Sequence, residues 1–159
     1  RYPKKVSVCS GGRRRQDSAR AGLSALGECG WVVVHDGARP CIEPDLLERG
    51  ISHAMKHGNA VAALPVTDTI KSADAQGYVT CTLARRELWA VQTPQIFPFH
   101  QLKDAYDSND QDATDDAALV ERLGGSVKLY LGSYENIKVT TSLDLSLAEA
   151  ILARRKTEP

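Results

Sequence analysis

With 159 residues, 42% of them hydrophobic, the chain has apolar mass for one core and one domain of ordinary size. Its 20 basic and 20 acidic residues cancel, which removes the overall positive field expected where nucleic acid or an anionic membrane is the main partner. Cys9, Cys29, Cys41 and Cys81 form no Cys-x-x-Cys pair, no run approaches a membrane span and the N-terminal stretch lacks a secretory apolar core, so a soluble chain of a reducing cytosol is expected.

In chain order, Lys4 to Cys9 alternates like a strand, and Ser10 to Arg15 is a basic loop containing glycine. Asp17 or Ser18 caps a short helix through Leu26, stopped by Gly27 and Gly30. Trp31 to His35 is the continuous apolar run of a strand buried on both faces. Glu43-Pro44 opens a second helix that lasts until His57-Gly58, and Ala60 to Val66 is another buried strand. Strand, helix, strand, helix, strand is the pattern of a parallel sheet covered by helices.

The middle of the chain breaks that pattern. Thr69 to Ser72 and Tyr78 to Leu83 flank a five-residue turn, which predicts a β-hairpin projecting from the main sheet. A lone hairpin is only marginally stable in water, so a second copy of the chain is the economical surface for it to pack on. Thr93-Pro94-Gln95 reads as a rigid bend, and a helix follows from about Pro98 to Tyr106. Thr114 caps a helix from Asp115 to Leu123, Gly124-Gly125 ends it, and Val127 to Leu131 is a strand. Ile137 to Val139 reads as a short strand, and Thr141-x-x-Asp144 resembles a capping box before a last helix, Ser142 to Arg154.

The chemistry concentrates at a few points. Asp36 and Arg39 follow an apolar strand through a glycine turn. Ligands of open α/β sheets gather beyond the carboxyl ends of the strands, where an Asp can hold a divalent cation against phosphate oxygens. The plainer alternative is a pair that shapes the turn. Ser10 to Ser18 joins glycines, three adjacent arginines and a helix N-terminus, the ingredients of an anion site or of a solvated turn; it is no Walker A loop. Asp68 to Lys71 and Ala84 to Trp89 lie at the feet of the hairpin, and Thr114-Asp115-Asp116 is explained by capping alone. Lys138 stands between two apolar residues, an odd place for a lysine with no anion to meet. His53 and His57 have helical spacing but no intervening Glu motif, which fits a solvated face, and no serine or cysteine sits in a nucleophile elbow. Charge is uneven along the chain: residues 1–20 carry seven Lys or Arg, whereas 104–121 carry seven acids and no base.

Arg15-Gln16-Asp17-Ser18, Val34-His35-Asp36-Gly37-Ala38-Arg39-Pro40, Pro65 to Lys71, Leu88 to Gln95, Thr114 to Ala117 and Asn136 to Thr140 occur in the order of one family. The chain resembles the 2-C-methyl-D-erythritol 4-phosphate cytidylyltransferases of non-mevalonate isoprenoid biosynthesis from about Gly11 to Ala153. The resemblance implies a Rossmann-like α/β fold: a mostly parallel sheet with helices on both faces and a projecting hairpin arm at about 68–92, all within one nucleotidyltransferase domain over 1–159. It implies CTP and methylerythritol phosphate as substrates, pyrophosphate as product and Mg²⁺ as cofactor, in a bacterial cytoplasm or a plastid stroma, with no nucleic-acid or membrane partner.

Carried over by motif, Asp36 holds the metal and is catalytic together with Lys138 and Arg85, while Gly12, Ser18, Asp36 and Gly37 face the nucleotide. Arg39, Thr69, Thr93 and Thr114 face the alcohol phosphate. In this family the arm crosses to a second subunit, so the resemblance implies a homodimer in which Thr69 and Arg85 serve the partner's site. Ala84 stands where the family commonly has Asp, which leaves Arg85 and Arg86 as alternatives for the arm arginine. The resemblance also implies that a first strand, a Gly-rich loop and a lysine precede Arg1 in the parent protein. A ribitol-5-phosphate cytidylyltransferase, or a nucleotide-binding fragment without catalysis, are the alternatives.

Overall fold

The computed structural model describes residues 6–108 and 112–157. In chain order these build α1 (Arg15–Leu26), β1 (Trp31–Val34), α2 (Pro44–His57), β2 (Ala60–Pro65), β3 (Lys71–Ala73), β4 (Val79–Thr82), β5 (Trp89–Pro98), α3 (Phe99–Asp107), α4 (Asp116–Arg122), β6 (Lys128–Leu131) and α5 (Ser142–Thr157). The main sheet has the order β1-β5-β2-β6. β5 is antiparallel to both neighbours and β2 is parallel to β6, so β1, β2 and β6 run one way and β5 against them. The carboxyl ends of three strands therefore share one edge of the sheet.

Alternation along the strands divides the core between two helical layers. Val32, Val61 and Phe97 point toward α1, α3 and α4, where Leu23, Leu102, Tyr106 and Leu119 meet them. Ala60, Ala62 and Ile96 point the other way, toward Leu46 and Ala54 of α2. Full burial of a side chain such as Leu102 or Phe97 contributes about 1.5–3 kcal/mol each. On the α2 side the fit is close: a Cβ on Gly50 would lie 2.4 Å from the Tyr130 hydroxyl and 2.6 Å from Ile96 Cδ1, so the helix rests directly on the sheet.

The hairpin forms as expected, with Lys71 opposite Thr82 and Ser72 opposite Cys81 in a two-stranded sheet of its own. Asp74 shapes its turn by accepting the Gln76 and Tyr78 amides at 3.0 and 2.9 Å, and Gly77 supplies the left-handed residue at φ 88°.

Several expectations fail locally; among them, α1 starts at Arg15, which puts Asp17 and Ser18 inside the helix rather than at its cap. Residues 6–9 form no strand, and Lys4 and Lys5 lie outside the described residues. An alternating pattern needs a partner ladder, and none is present among the described residues. β1 is buried on one face only: Val32 is 6% exposed but Trp31 and Val33 are 42% and 39%, because β5 is its sole described neighbour. Thr93-Pro94 sits inside β5, with a cis peptide, rather than at a turn. Between the pairs Val61↔Gln95 and Ala63↔Val91 the register shifts, so β5 accommodates residues 92–94 opposite Ala62 alone. Residues 137–139 are a pinned loop, not a strand.

Candidate active site

The loop after β1 carries Asp36 and Arg39, and the loop after β6 reaches across the strand ends to bring Lys138 to the same place. Gly132 permits that path: its amide donates to Ala63 O at 2.8 Å, and a Cβ there would lie 2.4 Å from Gln92 Oε1. Gln92 then holds the loop with both ends of its amide, donating to Ser133 O at 3.0 Å and accepting from Ser133 N at 3.3 Å. The buried Asn136 donates to Thr93 O at 2.7 Å, and Val139 N donates to Ala38 O at 2.8 Å. These side-chain bonds and the single backbone bond from Val139 replace the ladder that a strand over 137–139 would have used.

Asp36 is the meeting point. Its Oδ2 pairs with Lys138 Nζ at 3.0 Å and lies 3.8 Å from Arg39 Nε, while Oδ1 accepts from Arg15 Nε at 3.2 Å. One carboxylate thus faces three cations. Burial alone would raise the Asp36 carboxyl; the Lys138 hydrogen bond and the Arg15 charge outweigh it and hold the group below its ordinary value. Arg39 donates Nη1 to Asn136 O at 2.6 Å, but its buried Nε makes no hydrogen bond.

The turn is braced from beneath. Thr93 Oγ1 accepts the Asp36 amide at 3.0 Å and lies 3.0 Å from His35 Nδ1, while His35 Nε2 lies 3.2 Å from Arg39 O. A carbonyl only accepts, so Nε2 carries a proton there, while the Thr93 hydroxyl can either donate to Nδ1 or accept from it. Gln95 ties β5 to the next helix by accepting from Ala117 N at 3.0 Å and donating to Asp115 at 2.8 Å. Asp115 caps α4 through Ala118 N, in the role expected of Thr114.

These groups surround a cleft of about 410 Å³ lined by Asp36, Arg39, Thr93, Thr114 and Lys138, with Arg15 and Gln95 among its other walls. A larger hollow, about 710 Å³, runs between α1 and β1, but its lining is mainly apolar side chains and includes no lysine or arginine among the described residues.

A model of the family described as IspD, 2-C-methyl-D-erythritol 4-phosphate cytidylyltransferase, matches residues 1–154. A protein of that name from Dehalococcoides mccartyi strain CBDB1 is 48% identical over 153 residues, covering 96% of this chain and 67% of its own length. This chain belongs to the 2-C-methyl-D-erythritol 4-phosphate cytidylyltransferase family. Solved structures agree. The cytidylyltransferase of Thermus thermophilus superposes with a TM-score of 0.82 at 38% identity, over 92% of this chain and 72% of that one. The 4-diphosphocytidyl-2C-methyl-D-erythritol synthase of Anaerococcus prevotii gives 0.87 at 32% identity, over 96% and 73%. The chain therefore spans about two thirds of the length of its curated relatives, 67% of the first.

Of the residues that the cytidylyltransferase resemblance singles out, the structure gathers Asp36, Arg39, Thr93, Thr114 and Lys138 in one cleft. Gly37 lies in the Asp36 turn, outside the cleft's lining, and so do Gly12 and Ser18, whose mutual bond is Gly12 N to Ser18 Oγ at 3.0 Å. Thr69 and Arg85 stand at the exposed foot of the arm. Arg85 donates to Thr67 O at 2.6 Å, and Arg86 pairs with Glu87. No residue type or spacing in the sequence marks His35, Gln95 or Asn136 as functional. The only trace of them was their place beside Asp36, Thr93 and Lys138 in the ordered motifs of the cytidylyltransferases.

Proposed function

We propose that this chain transfers CMP from CTP to 2-C-methyl-D-erythritol 4-phosphate, releasing pyrophosphate, and that it does so in the cleft around Asp36 and Lys138. Family membership supports the reaction. The observation that carries the location is the single carboxylate ringed by Lys138, Arg39 and Arg15 at the carboxyl end of the sheet. The alcohol phosphate oxygen forms a bond to the α-phosphorus of CTP while the bond to the β-phosphate bridging oxygen breaks, and the electron pair leaves with pyrophosphate. A phosphate monoester is already ionised at neutral pH, so the residues need only orient the two phosphates and offset charge. Lys138, 43% exposed, offers its ammonium to the phosphates, and Arg39, which lines the same cleft, offers a second positive charge to the alcohol phosphate.

One hard carboxylate at the mouth of a cleft suits Mg²⁺ whose remaining ligands are phosphates and water, and Asp36 would hold it. Bound there, Mg²⁺ would neutralise phosphate charge. Gly12, Ser18 and Gly37 are assigned to the nucleotide, and Thr93 and Thr114 to the alcohol phosphate. Thr69 and Arg85 lie outside the lining of their own cleft, which supports a homodimer whose arm completes the site of the second copy. Four free cysteines, three of them exposed, support a reducing compartment, a bacterial cytoplasm or a plastid stroma.

Incubation with CTP, Mg²⁺ and either methylerythritol phosphate or ribitol 5-phosphate, followed by pyrophosphate detection, tests the reading. Release with methylerythritol phosphate and not with ribitol phosphate is expected. Turnover of ribitol phosphate alone, or CTP binding without release from either, would contradict it.

A further inference from the structure

Behind the cleft lies a carboxylate that the proposed reaction does not use. Asp116, at the first turn of α4, is fully buried: its Oδ1 receives the Tyr106 hydroxyl and its Oδ2 receives Arg15 Nη2 at 2.7 Å. The same guanidinium sends Nε to Asp36 Oδ1 at 3.2 Å. Arg15 therefore spans two acids, one sealed in the core and one in the cleft. Leaving Asp116 would strand a buried charge, so the guanidinium is held in place. Lys138, 43% exposed, has no second carboxylate among the described residues, so it is free to turn from Asp36 to a phosphate.

We infer that Arg15, anchored by Asp116, is a positioning residue that fixes Asp36 through Oδ1, so that Oδ2 keeps its aim when Lys138 moves to the substrate. This rests on the reaction proposed above.

The test is a double-mutant cycle. Arg15→Lys leaves an ammonium to pair with Asp116 but cannot occupy both positions of the fork. It should lower kcat about tenfold with both KM values within about twofold, and in an Asp36→Ala background it should cost nothing further. Asp116→Asn, which loosens the anchor, should lower kcat about fivefold in the same manner. Effects of Arg15→Lys and Asp36→Ala that multiply would overturn the inference, and so would a lowered melting temperature with unchanged kcat in both Arg15→Lys and Asp116→Asn. Absence of turnover in the wild type would instead refute the proposed reaction. Melting of the ligand-free proteins then decides: losses for Arg15→Lys and Asp36→Ala that are less than additive support the linkage, and additive losses refute it.

Discussion

Thr93 shows how little freedom the groups around Asp36 retain. Its hydroxyl accepts the Asp36 amide and faces His35, and its carbonyl accepts Asn136, so one residue holds both loops that form the cleft. Thr93→Val keeps the shape and removes the hydroxyl. A fully buried amide left unpaired costs about 1–3 kcal/mol and this part-buried one less, so turnover should fall several-fold to about tenfold while the fold persists; wild-type pyrophosphate release by Thr93→Val would contradict the bracing role. At this scale the site was half legible in the sequence. Asp36 stood out because it closes an apolar strand at the sheet edge where ligands of open α/β sheets gather, and Lys138 because a lysine between apolar residues asks for an anion. Arg15 stood only as one of three adjacent arginines that fit an anion site or a solvated turn, and capping explained Asp116; only the fold brings the two, 101 positions apart, within 2.7 Å of each other.

Elements with local causes were legible. The last helix begins where its capping box stands: Asp144 Oδ2 accepts the amides of Thr140 and Thr141 at 3.0 and 2.8 Å, and Thr141 Oγ1 accepts the Asp144 amide at 3.2 Å. Those donors hold the Asp144 carboxyl at about 2, below its ordinary 3.8. A depressed carboxyl stabilises the fold when ionised. Its contribution is complete above the unfolded value of 3.8 and is lost as pH falls through about 2. The melting temperature should therefore drop across that window by less in Asp144→Asn than in the wild type; equal slopes would show that the cap carries no proton linkage. Elements whose causes are distant were misread. The alternation of residues 6–9 and the apolar flank of Lys138 both look like strands, but a strand exists only where a neighbour completes its ladder. The exposed face of β1 follows from its place at the edge of the described sheet, which no local pattern encodes.

Across the whole molecule the uneven charge resolves into contacts: the basic start of α1 meets the acidic approach to α4, with Arg14 on Asp112 at 2.8 Å and Arg15 on Asp116 at 2.7 Å. The α/β layering and the projecting arm were legible because periodicity and turn residues specify them. The reversed direction of β5 was not, since antiparallel insertion is set by tertiary pairing. If the arm serves a second copy, Asp36→Ala and Arg85→Ala proteins, each nearly inactive, should regain roughly a quarter of wild-type turnover when co-expressed, because half the dimers then hold one intact site. A mixture no more active than its components, or a chain that sediments as a monomer, would exclude that arrangement. The activity proposed for the cleft depends on the convergence of Asp36 and Lys138 across the strand ends, 3.0 Å apart. The direct measurement is pyrophosphate release by Asp36→Ala and Lys138→Ala beside their melting curves. Each should lose about two orders of magnitude in turnover with the melting transition retained; near-wild-type rates in either would contradict the assignment of the cleft.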